Sequence, residues 1–89
     1  MILDVKVATQ FEYVRKEGTC NMMDFNGVQV RANELEFYAL VVWLQENRKD
    51  YATTIFKGYD VKLEEGSVDS DQYFKDNPVE IENLEEMDW

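Results

Sequence analysis

The sequence has no histidine, one cysteine, one proline and four glycines among its 89 residues. A lone cysteine excludes an internal disulfide, and without histidine or a second thiol one chain cannot assemble the usual zinc sites. The missing histidine also removes the ordinary base for a serine, threonine or cysteine nucleophile, so Cys20 reads as an inert, partly buried thiol. Gly18, Gly27, Gly58 and Gly66 are too scattered for a dinucleotide fingerprint or a phosphate loop. No apolar run approaches the ~20 residues of a membrane span, and Met1-Ile2-Leu3-Asp4 lacks the charged start and long apolar stretch of a signal peptide. These absences lead to an expectation of one soluble, non-enzymatic domain without metal or cofactor, residing in the cytoplasm.

What the chain does have is acid. It carries 19 Asp and Glu against 9 Lys and Arg, a net charge of −10. Residues 1–59 hold 8 acids and 7 bases, whereas residues 60–89 hold 11 acids and only Lys62 and Lys75. Nucleic acid and anionic membrane would be repelled by such a segment, while a basic protein surface would be attracted. The candidate partner-binding residues are therefore Asp60, Glu64, Glu65, Asp69, Asp71, Asp76, Glu80, Glu82, Glu85 and Glu86, together with Trp89. That tryptophan closes the chain either as a last core contact, the commoner fate of a large aromatic, or as an exposed anchor. Asp69 and Asp71 begin like a calcium loop, but Tyr73 follows and the turn glycine is missing. The basic residues Arg15, Lys16, Arg31, Arg48 and Lys49 alternate with Glu12, Glu17, Glu34, Glu46 and Asp50, which makes a mixed surface rather than a nucleic-acid patch.

Periodicity predicts a mainly α fold: a small three-helix core over residues 1–58, with an acidic amphipathic segment, 59–89, packed on it in one domain. Asp4 caps a first helix with Val7, Phe11 and Val14 on one face and Gly18 as its stop, although Val5 to Tyr13 also alternate at strand period. Asp24 caps a second helix carrying Val28, Ala32 and Leu35, with Gly27 weakening its first turn. From Phe37, the residues Leu40, Val41, Leu44, Tyr51 and Ile55 mark a third helix, expected to be the most buried element. It runs either continuously to Lys57 or in two pieces with Asp50 capping the second. Tyr59 to Glu64 alternates apolar and charged residues, so a short strand pairing with 2–7 or 79–84, or an extended arm, precedes a turn at Glu65-Gly66; an α+β arrangement is the alternative fold class. Asp69 or Ser70 caps a short helix that Asn77-Pro78 ends, and Ile81, Leu84 and Met87 recur through the acidic tail.

Between Phe11 and Gly58, the ordered set Arg15, Gly18, Asn21-Met22, Asp24, Val28-Gln29, Ala32-Asn33, Phe37-Tyr38, Leu40-Val41, Arg48-Lys49, Tyr51 and Gly58 resembles a family of small domains of unknown function. Its members are encoded mainly by phages and prophages of Gram-positive bacteria. The resemblance implies an origin, not an activity. In that setting the acidic segment resembles, in composition, phage inhibitors of host defence nucleases, including anti-CRISPR and DNA-mimic proteins. Duplex DNA presents one charge per roughly 1.7 Å of axis, and a folded array of carboxylates can engage the Arg and Lys that hold it. The leading expectation is an anti-CRISPR-like inhibitor occupying a basic cleft, with the PAM-reading cleft of Cas9 as the favoured target. The alternatives are a phage accessory protein that binds its partner through an apolar groove, and an antitoxin-like neutraliser of a basic protein. Neither composition nor pattern sets the oligomeric state.

Overall fold

The computed structural model describes residues 1–80. A two-residue strand, β1 (Ile2–Leu3), leads directly into α1 (Val5–Glu17), whose start is fixed by Asp4 accepting from the Lys6 backbone N–H at 2.7 Å. Residues 5–14, which carry both periods, are helical. The strand alternation is overridden because Val7, Ala8, Phe11 and Val14 together make one buried stripe. α2 (Phe25–Glu34) begins at Asp24, whose carboxylate accepts from Gly27 N–H at 3.1 Å. Gly27 is thus part of the cap: a Cβ there would lie 2.6 Å from Asp24 Oδ2.

The third helical stretch is broken. α3 (Tyr38–Glu46) ends where Asn47 leaves helical geometry and donates from Nδ2 to Trp43 O at 3.0 Å, the local competition with the backbone that makes Asn a poor helix-interior residue. A 3₁₀ turn, Arg48–Asp50, then leads into α4 (Tyr51–Lys57). The two-piece arrangement is the observed one, but Asp50 makes no side-chain cap; its carbonyl instead accepts from Thr54 Oγ1 at 2.8 Å. Nor is α3 buried all round. Leu40, Val41 and Leu44 are in the core, while Tyr38 and Val42 are more than half exposed.

After Gly58, β2 (Asp60–Leu63) and β3 (Gly66–Asp69) form a hairpin around Glu64-Glu65, and α5 (Ser70–Asp76) follows with Asp69 as its cap. The sheet order is β1-β2-β3. β1 runs parallel to β2, Ile2 opposite Asp60 and Leu3 opposite Val61, so the two ends of the helical region meet in one ladder. Leu3 and Val61 face inward and are fully buried. Phe11 is the hub of the core, with ring contacts to Tyr59 at 5.5 Å, Tyr51 at 6.3 Å and Trp43 at 6.4 Å. Of the expected core, Leu35 and Ile55 are only half-buried and pack against its margin.

Candidate partner-binding face

The carboxylates predicted from sequence fall into two groups along the hairpin. Asp60 and Asp69 are direct cross-strand partners, so two like charges share one face of the sheet, an arrangement that opposes pairing. Asp71 stands in the first turn of α5, two residues past Asp69, whose Oδ1 accepts from its backbone N–H at 2.8 Å. Glu64 and Glu65 sit exposed at the hairpin turn, about 13 Å further along the strands at 3.3 Å per residue. Asp76 ends α5 and accepts from Gln72 Nε2 at 3.1 Å; Glu80 is exposed beyond it. Asp71 and Asp76 are turned about 140° apart round the helix, so α5 spreads its charge over two sides. Glu82, Glu85, Glu86 and Trp89 lie outside the described residues.

Ion pairing is confined to a few acids of the helical half, where Asp4, Asp24, Glu36, Glu46 and Asp50 also lack an ion-pair partner among the described residues. Among the described residues, all ion pairs lie between residues 12 and 34: Arg15 with Glu12 at 3.3 Å, and Arg31 with Glu17 at 2.7 Å and Glu34 at 3.5 Å. Arg31 grips both oxygens of Glu17, tying the end of α1 to α2. That hydrogen-bonded guanidinium holds the Glu17 carboxyl below its ordinary value despite burial. No such pair engages a described carboxylate of 60–80.

Beside the acidic group lie two clefts of about 330 and 240 Å³ that share the lining residues Lys57, Gly58, Tyr59 and Asp69. The larger runs inward to Phe11, Met22 and Ile55; the smaller includes Asp60. Gly58 is needed here because its backbone, φ +79° and ψ −174°, lies in a region open essentially to glycine alone. Tyr59 is only 6% exposed, and its hydroxyl donates to Glu12 Oε1 at 2.8 Å. Burial first, and then the Glu12 carboxylate, raise this phenol far above its usual range. Sequence reading did not single out this junction. The available signal was the Tyr59-Val61 alternation, which turns Tyr59, just before β2, to the same buried side as Val61.

Fold and site together define a small helical protein with a three-stranded sheet that carries a face of carboxylates without ion-pair partners among the described residues. The chain belongs to the family described as Domain of unknown function (DUF5049), which matches residues 3–59. The matched segment takes in Leu3 of β1 and all of α1 to α4 and ends at Tyr59, immediately before β2, so the acidic hairpin and α5 follow it. No curated protein and no solved structure matches the chain. Among the described residues, no helix is long and apolar enough to cross a membrane, and no three acidic or thiol side chains are grouped to hold a metal ion.

Proposed function

We propose that this protein is a non-enzymatic inhibitor that uses its acidic hairpin and α5 to occupy a basic, nucleic-acid-binding cleft of a nuclease. The observation that carries this reading is the concentration of unpaired carboxylates on the hairpin and α5. Glu12, Glu17 and Glu34 pair within the fold, whereas Asp60, Glu64, Glu65, Asp69, Asp71, Asp76 and Glu80, close together in the chain, have no ion-pair partner among the described residues. Exposed, unneutralised carboxylates lower stability through mutual repulsion, and a cationic partner relieves that repulsion on binding. A phage origin, implied by the resemblance of residues 11–58, makes a host defence nuclease of the Cas9 type the target of choice, within the bacterial cytoplasm.

The test is competition. A DNA duplex and this protein should exclude each other from the purified nuclease, with affinity falling steeply as salt rises. Reversing the charge at Glu64, Glu65, Asp69 and Asp71, or at Glu80, Glu82, Glu85 and Glu86, should abolish competition while leaving the helical core folded by circular dichroism, apart from the α5 cap that Asp69 supplies. Simultaneous binding of DNA and protein would end the mimicry reading. One observation favours a second reading, a partner held by apolar contact: Phe56, on the rim of the larger cleft, is 74% exposed. Binding of that kind would be nearly insensitive to salt.

A further inference from the structure

We infer that the larger cleft is the seat of the chain's own C-terminal segment, residues 81–89, which lies outside the described residues and carries Ile81, Leu84, Met87 and Trp89 among its acids. This docking is independent of the inhibitory reading above. Where the described chain ends selects the occupant. Beyond α5 the backbone returns to the C-terminal end of α1: Val79 is half-buried, and its carbonyl accepts from Lys16 Nζ at 2.7 Å. Arg15, the residue before Lys16, lines the cleft. Nine further residues reach up to about 30 Å when extended, and so short a tether holds them at millimolar effective concentration. A weak apolar contact is then enough for this segment to occupy the cleft ahead of a dilute partner.

The cleft has the matching chemistry. A single exposed aromatic is ordinary on a protein surface, but Phe56, 74% exposed, continues into a cavity of about 330 Å³ that runs past Met22 and Ile55 to Phe11. Apolar side chains seated there cover the phenyl ring and leave the water themselves. Charge orients the segment. Arg15 and Lys57 line the cleft and Lys16 stands beside it, cations that attract Glu82, Glu85, Glu86 and Asp88. Asp69 and Asp71, also on its lining, repel those carboxylates and keep them on the side of Arg15 and Lys57.

The experiment attaches a nitroxide to the full-length, ¹⁵N-labelled chain at Leu84→Cys, with Cys20→Ser to remove the native thiol, and measures the broadening of each amide signal. Ile55, Phe56, Lys57 and Gly58 should lose most of their intensity, while Val30 and Tyr38, exposed residues of α2 and α3 that line neither cleft, should keep theirs. Phe56→Ser, a change at an exposed position, should weaken docking about fivefold, the loss of roughly half a phenyl ring's burial. In the chain without either cysteine change, nuclear Overhauser contacts from Ile81, Leu84 or Trp89 to the methyl groups of Met22 and Ile55 should appear. Broadening confined to Lys16 and α5, equal broadening at Val30 and Tyr38, or a response unchanged in Phe56→Ser overturns the inference. So does broadening that passes only from a nitroxide-bearing chain to an unmodified ¹⁵N-labelled one, which would give the cleft to a second copy.

Discussion

Glu36 occupies the left-handed region at φ +60°, the one described non-glycine residue with positive φ. It closes α2 as the left-handed residue of a Schellman motif, with Glu36 N–H donating to Asn33 O at 3.0 Å and Phe37 N–H to Ala32 O at 2.8 Å. A side chain there costs about 1–2 kcal/mol, partly offset in glycine by its larger unfolded-state entropy. Glu36→Gly should therefore stabilise the protein by about 0.5–1 kcal/mol in urea unfolding. Glu17 gives the second residue-scale prediction. Its carboxyl is held low in the folded state by Arg31, so the stability it contributes is present above its ordinary value near 4.5 and is lost as pH falls through the lowered one. The stability difference between the native chain and Glu17→Gln should accordingly be largest at neutral pH and shrink in urea titrations at progressively lower pH.

Among the elements, α3 shows most clearly what neighbours supply. Phe37 precedes it without a side-chain cap, and the orphan N–H of Leu40 is instead satisfied by Gln10 Oε1 of α1 at 2.9 Å. Gln10→Ala leaves that half-buried donor unpaired and should cost about 1–2 kcal/mol in urea unfolding. Helix starts at Asp4 and Asp24 and the stop at Gly18 were legible, because each depends on atoms within a few residues. The cap from Gln10, thirty residues away, was not. The break at Asn47 was half-legible: Asn is a weak helix former, but its side chain had to find the Trp43 carbonyl to terminate α3.

At the scale of the whole molecule, the acidic segment is also part of the core. Val61 is fully buried, and Val68, Tyr73 and Phe74 pack against the cluster built by the helices. A chain ending at Tyr59, close to the limit of the family match, loses these contacts and uncovers Leu3. Burial of Val61 alone is worth about 1.5–3 kcal/mol, and the rest adds to a loss comparable with the stability of a small domain. The shortened chain should lack a cooperative thermal transition by circular dichroism; one melting within about 5 °C of the full chain would show that the sheet is dispensable.

The charge division, the helical class, the caps at Asp4, Asp24 and Asp69 and most core residues were determined by the sequence itself, since each follows from composition or from spacings shorter than one helix. Asp60, Glu64, Glu65, Asp69 and Asp71 were legible as a solvated acidic set for the same reason. Only the tertiary structure decided which of the two pairings open to residues 59–64 forms, joining β2 to β1 nearly sixty residues away, that Asp60 faces Asp69, and that Gly58 lines two clefts. Strand partners and cavity walls depend on how the helices between them close the chain, and side-chain periodicity within a single element carries no record of that closure.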